Sequence, residues 1–226
     1  MDHSDTIRQL IISVPALVFA ITFHEASHGY VANRLGDPTA RFMGRLTLNP
    51  IKHIDPIGTV LLPLILTAMG GVIFGYAKPV PINPANFRDP KRDMAISAAA
   101  GPATNVLLAI ISSLILMLIV MPAMNLIQSG LANAFFTPLA LMLQFSIRIN
   151  LFLAALNLIP ILPLDGGRVL AGLLPHKQAM AYSKLENYGL IIFFALIFTG
   201  IAKYFIIPLY LLLTNLVPFY DKIFPY

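Results

Sequence analysis

Apolar positions in this chain come in long runs rather than in the stripes that mark a soluble helix. From Leu10 to Phe23 only Ser13 and Thr22 interrupt the apolar residues, and residues 94–147 contain no Asp, Glu, Lys, Arg or His. About 20 apolar residues cross a hydrocarbon core, so the second stretch must hold more than one embedded segment. Ile7 to Val31, Pro56 to Phe74, Ile149 to Leu164 and Tyr188 to Val217 supply further candidates. The pattern predicts an all-α polytopic membrane protein of five or six embedded helices, forming a single domain over residues 1–226. A straight helix from Phe135 to Leu164 would be ~45 Å long, too long for the bilayer, with Arg148 near its middle. Asn157 and Pro160 favour a break there.

Two connections read differently. Ala40 to Leu48, between the first two spans, partly alternates polar with apolar residues and ends at Asn49-Pro50. It predicts a short strand or hairpin, a β segment between the first two spans, rather than a helix. The stretch "YAKPVPINPANFRDP" is too rich in proline for a regular helix and reads as an extended loop.

Composition agrees with the pattern. The chain is 58% hydrophobic and only 11% charged, against about 25% charged in ordinary soluble domains, so it needs a lipid solvent. The first run reads as a retained span rather than a signal peptide, because Asp2 and Asp5 precede it beside a single Arg8 and no small-residue cleavage pattern follows. The net charge of +5 is better explained by topology than by a nucleic-acid partner. Basic residues cluster in Arg34 to Lys52, Lys78 to Arg92 and Arg168 to Lys184, whereas Pro122 to Asn133 is uncharged. The positive-inside rule places the basic connections in the cytoplasm. With no cysteine present, disulfides and thiolate sites are excluded, and a metal would need His, Asp or Glu.

Such residues interrupt the first span. His24-Glu25-Ala26-Ser27-His28 has the H-E-x-x-H spacing, which puts both imidazoles on one helical face with a carboxylate beside them. An ionisable group in a membrane segment costs roughly 2.5 to 3.5 kcal/mol on insertion scales, so such a cluster points to a cavity, a pairing or a bound ion. Two histidines leave a catalytic zinc one protein ligand short. His53, Asp55, Asp165, His176 and Glu186 are the candidates for the third. Asp165 stands out because it follows sixteen uncharged residues, in "NLIPILPLDGGRVL", where Pro160 and Pro163 unwind the chain and Gly166-Gly167 let it turn closely.

"FHEASHG", "AAAGPATN" and "NLIPILPLDGGR" occur in the order and rough spacing of the site-2 protease family of intramembrane zinc metalloproteases, which the chain resembles from roughly Ile11 to Arg168. "NPIKHIDPIGT" and "YAKPVPINP" resemble its compact bacterial and archaeal branch. The resemblance implies one Zn2+ per chain held by His24, His28 and Asp165, with Glu25 as general base. It further implies that Asn105 orients substrate or stabilises the oxyanion, that Asn157 lies near the active site, and that the Arg41 to Leu48 segment, including Phe42 and Leu46, holds substrate as an added strand. The expected partners are a transmembrane protein substrate and the lipid bilayer, with no nucleic acid. The active site is expected to be embedded toward the cytoplasmic side of a multi-pass cell-membrane protein. Larger members carry PDZ or CBS domains, which have no counterpart in these residues. The alternative is a metal ion transporter or channel using the same intramembrane His and Asp groups.

Overall fold

The computed structural model describes residues 3–55, 58, 78–127 and 129–225. Helix α1 runs from His3 to Leu35 and is followed by the short α2, Thr39–Phe42. Asp89 caps α3, Pro90–Ile115, by accepting from the Arg92 amide, and Pro90 at the first position sacrifices no helical hydrogen bond. A π-helical turn, Leu116–Val120, continues α3 into α4, Met121–Leu126. Helix α5, Gly130–Asn157, returns across the same thickness, and α6, Asp165–Leu173, follows a tight unwound connection. The remainder comprises α7 (His176–Ser183), α8 (Gly189–Phe198), α9 (Lys203–Thr214) and α10 (Tyr220–Ile223).

Helix α3 is the axis of the bundle and packs against α1, α5 and α6. Its buried face repeats about every fourth residue: Ser97, Gly101, Asn105, Ala109 and Ser113. The facing stripe of α1 has the same period, through Ala16, Ala20, His24, His28 and Ala32. Small and polar residues therefore face inward, while Leu10, Phe19, Leu107, Leu118 and Ile119 face outward. This inverts the soluble rule. In lipid, apolar side chains gain nothing by association, so helices pair through close backbone approach and internal hydrogen bonds. An apolar cluster around Leu116, Ile147, Leu151, Leu213 and Val217 fills the bundle interior where α3, α5 and α9 meet.

Four helical stretches among the described residues are long and apolar enough to cross a membrane: Ile7–Leu35, Pro90–Leu126, Ala132–Asn157 and His176–Phe198. Five or six are not reached among the described residues, and the predicted span Pro56 to Phe74 lies outside them. The run Tyr188 to Val217 is not one helix, because Gly200 adopts positive φ between α8 and α9. The break at Asn157 is present, and Arg148 sits over the Phe224 ring at 4.2 Å.

The β segment expected over Ala40 to Leu48 is absent, and no strand occurs among the described residues. The partial alternation spans too few residues to outweigh local turn chemistry. The Asp37 carboxylate takes both the amide and the hydroxyl of Thr39, which starts α2, and Gly44 turns the chain at φ 63°.

Asp37 also ties this region to the proline-rich loop. It is fully buried, accepts from the Asn83 amide at 2.7 Å and from the Asn86 side chain at 2.8 Å, and so fixes the extended residues 78–82 against the end of α1. Burial alone would raise its pKa, but the hydrogen bonds from Asn86, Thr39 and Asn83 outweigh that and hold it below the ordinary carboxylate value. Because the folded value is depressed, the stabilisation is present above the unfolded pKa of ~3.9 and is lost as pH falls through the folded one. Asp37→Asn should lower the thermal unfolding midpoint in detergent at pH 7, by about 1–3 kcal/mol of stability. The gap to wild type should narrow as pH drops below ~4.

Candidate metal centre

His24 and His28 leave the same face of α1 one turn apart, and both are buried. Their Nε2 atoms lie 3.1 Å from each other. Asp165 Oδ2 lies 3.1 Å from His24 Nε2 and 3.3 Å from His28 Nε2. These three side chains form a group that could hold a metal ion.

The donor chemistry tests that fit. His28 Nδ1 donates to the Ser97 carbonyl at 2.7 Å, and the Ser97 hydroxyl donates back to the His28 carbonyl at 3.1 Å. His24 Nδ1 donates to Asn105 Oδ1 at 2.5 Å. With its proton committed at Nδ1, each neutral imidazole presents a lone pair at Nε2. Two such lone pairs and a carboxylate oxygen converge on one point with no hydrogen among them, which is repulsive unless a cation sits there. Ligands ~2.0–2.1 Å from a tetrahedral zinc are about 3.3–3.4 Å apart, close to the three separations found. The residues fit zinc.

Close backbone approach makes the arrangement possible. A Cβ on Gly101 would fall on the His24 and His28 rings, so α3 reaches them only at a glycine. Asp165 arrives because the chain doubles back within eight residues of Asn157. Side chains on Gly166 and Gly167 would strike the backbone of Leu158, Ile159, Ile161 and Leu162. The Tyr182 hydroxyl, donating to the Pro160 carbonyl at 2.9 Å, pins the loop from outside.

Glu25 is half-buried on the same turn. Its Oε2 accepts from the Val80 amide at 2.9 Å. Val80 packs onto Gly29, and Arg45 steadies this segment by donating to the Lys78 carbonyl at 2.8 Å. The proline-rich segment read as a plain loop therefore reaches the candidate site. Beside this turn lies a cavity of about 410 Å³ lined by Phe23, Ala26, Ser27, Tyr30, Leu46, Thr47, Leu48 and Thr104.

The other sequence candidates fall outside the cluster. Asn157 donates to the Leu153 carbonyl in its own helix. Arg41 and Phe42 are exposed, whereas Leu46 lines the cavity. His53 donates to the Thr47 carbonyl, Asp55 accepts from the Gly58 amide, and His176 and Glu186 are exposed. Asn105 is fully buried, with both ends of its amide engaged. Sequence reasoning missed Ser97, Gly101 and Asn150. Their signal was the four-residue spacing of small and polar residues within otherwise apolar helices.

The model of Peptidase family M50 matches residues 12–200. YwhC of Bacillus subtilis is 39% identical over 196 residues, covering 87% of this chain and 84% of that protein. Rip2 of Mycolicibacterium smegmatis is 29% identical over 206 residues, covering 87% and 72%, and MJ0611 of Methanocaldococcus jannaschii is 33% identical over 163 residues, covering 71% and 69%. All three carry the words zinc metalloprotease in their names, and none supports the metal-transport alternative. No solved structure matches the chain. A family match over most of the sequence and a buried His, His and Asp set suited to zinc lead to one conclusion: the chain belongs to peptidase family M50, the site-2 proteases, and is an intramembrane zinc metalloprotease.

Proposed function

We propose that His24, His28 and Asp165 hold the zinc and that Glu25 is the general base of a reaction that cuts peptide bonds within or near transmembrane segments. The convergence of two Nε2 atoms and one carboxylate oxygen, beside a second carboxylate, carries this reading. When bound, zinc supplies a Lewis acid able to polarise the scissile carbonyl and to acidify the attacking water. Glu25 performs the proton transfers. The Val80 amide orients Oε2, and Oε1 takes a proton from the water and later returns it to the leaving amine.

Substrate enters through the cavity beside the His24-Glu25 turn. Its apolar lining suits the side chains of a membrane segment, and the hydroxyls of Thr47 and Thr104 offer partners for backbone groups exposed when a helix unwinds. Insertion as an added strand on Arg41 to Leu48 is not part of this reading, since that segment forms α2 and a turn. The basic connections flank the site end of α1, α3 and α5, and the uncharged helix termini at Leu126 and Gly130 lie at the opposite end. The site therefore faces the cytoplasmic half of the membrane.

In proteoliposomes containing a tagged single-span protein that wild type cleaves, Glu25→Gln should retain zinc by elemental analysis and lose ~10²-fold or more in rate. Equal loss of zinc would make Glu25 a ligand instead. Gly101→Ala should abolish most zinc binding while leaving helical content intact by circular dichroism, because the added methyl displaces both imidazoles. Leu46→Trp, which fills the cavity, should slow cleavage about tenfold or more with zinc unchanged; wild-type rates would place the substrate elsewhere.

A further inference from the structure

Beyond the three ligands, a chain of buried amides runs from His24 away from the metal centre. Asn105 Nδ2 donates to Asn150 Oδ1 at 2.8 Å and to the Ala20 carbonyl at 3.4 Å. Asn150 Nδ2 donates to the Ser146 carbonyl at 2.9 Å and to its hydroxyl at 3.2 Å. The Ser146 hydroxyl meets the Ser112 hydroxyl at 2.9 Å. Asn105 and Asn150 are 0% and 1% exposed, so neither can exchange a partner for water.

A carboxamide is ambiguous, since either end can face a neighbour, and an imidazole has two tautomers. Only an anchored network resolves both. Here the anchors are backbone carbonyls of Ala20 and Ser146, which can only accept. The Ser146 carbonyl requires the Asn150 amino group, which turns the Asn150 oxygen toward Asn105. That oxygen and the Ala20 carbonyl claim the Asn105 amino group, which leaves the Asn105 oxygen for His24. The acceptor at His24 then demands a proton on Nδ1 and leaves Nε2 free for the metal.

We propose that Asn150 is a positioning residue of the metal centre: through Asn105 it sets the tautomer and ring orientation of His24. This rests on the reading of His24 as a zinc ligand. The role differs from that of an interhelical fastener, for which any group filling the space and holding α5 to α3 would serve. It requires an acceptor facing Asn105. It also assigns Asn105 to His24 rather than to substrate.

The test is zinc affinity, measured by competition with a chromogenic chelator on detergent-purified protein, for wild type, His24→Ala, Asn150→Leu and Asn150→Asp. His24→Ala checks the underlying reading: zinc bound as tightly as in wild type would remove His24 from the ligand set whatever Asn150 does. If His24→Ala loses zinc, Asn150→Leu should bind about 10–100-fold more weakly than wild type. Asn150→Asp, buried and protonated, keeps an acceptor toward Asn105 and a donor toward Ser146, and should recover affinity to within about threefold of wild type. Asn150→Ser, too short to reach Asn105, replaces the leucine variant should that one not fold, with the same weakening expected. Wild-type affinity in the leucine or serine variant, or an aspartate variant as weak as they are, would overturn the proposal.

Discussion

An unpartnered charge or polar group within hydrocarbon is so costly that the whole molecule is arranged around avoiding one. His24, His28 and Asp165 are ionisable groups surrounded by apolar helices, and every atom of theirs that does not face the shared centre needs a partner. Ser97 and Asn105 on α3 supply those partners on the two imidazoles. The polar stripe of α3 and the small residues of α1 are consequences of that need, since partners reach the histidines only where backbones come close.

The same constraint shapes the connections. Asp165 cannot come from a helix that simply continues α5, because a regular helix would carry it past the histidines. The chain ends α5 at Asn157, folds back against its own backbone at Gly166 and Gly167, and begins α6 with the carboxylate at the centre. On the other side, the proline-rich segment sends the Val80 amide to Glu25 and is fastened by Asp37 and Arg45. Prolines suit this position: they hold the segment extended and remove donors that would otherwise need partners.

Much of this was legible in the sequence. His24, Glu25 and His28 have a spacing that a helix turns into one face, and Asp165 is conspicuous after a long uncharged stretch between prolines and glycines. The membrane class follows from runs that no soluble core could bury. What could not be read depends on which residues meet across the bundle. Asn150 looks like an isolated polar interruption until α5 is laid beside α3, and Gly101 looks like a helix weakness until the imidazoles are seen against it. Ala40 to Leu48 misled because a few alternating residues are weaker than the turn that Asp37 and Gly44 impose. Arg41 and Phe42 are exposed, and of the three residues named for substrate in that segment Leu46 alone lines the cavity, beside Thr47 and Leu48.

The ligand set can be read by X-ray absorption at the zinc edge, on detergent-purified protein loaded with one zinc per chain. Zinc held by His24, His28 and Asp165 should show a four-coordinate shell of nitrogen and oxygen at ~2.0–2.1 Å with outer-shell scattering from two imidazoles, and bound zinc should be lost in Asp165→Ala. A shell with three imidazoles, or stoichiometric zinc retained after Asp165 is removed, would contradict that ligand set.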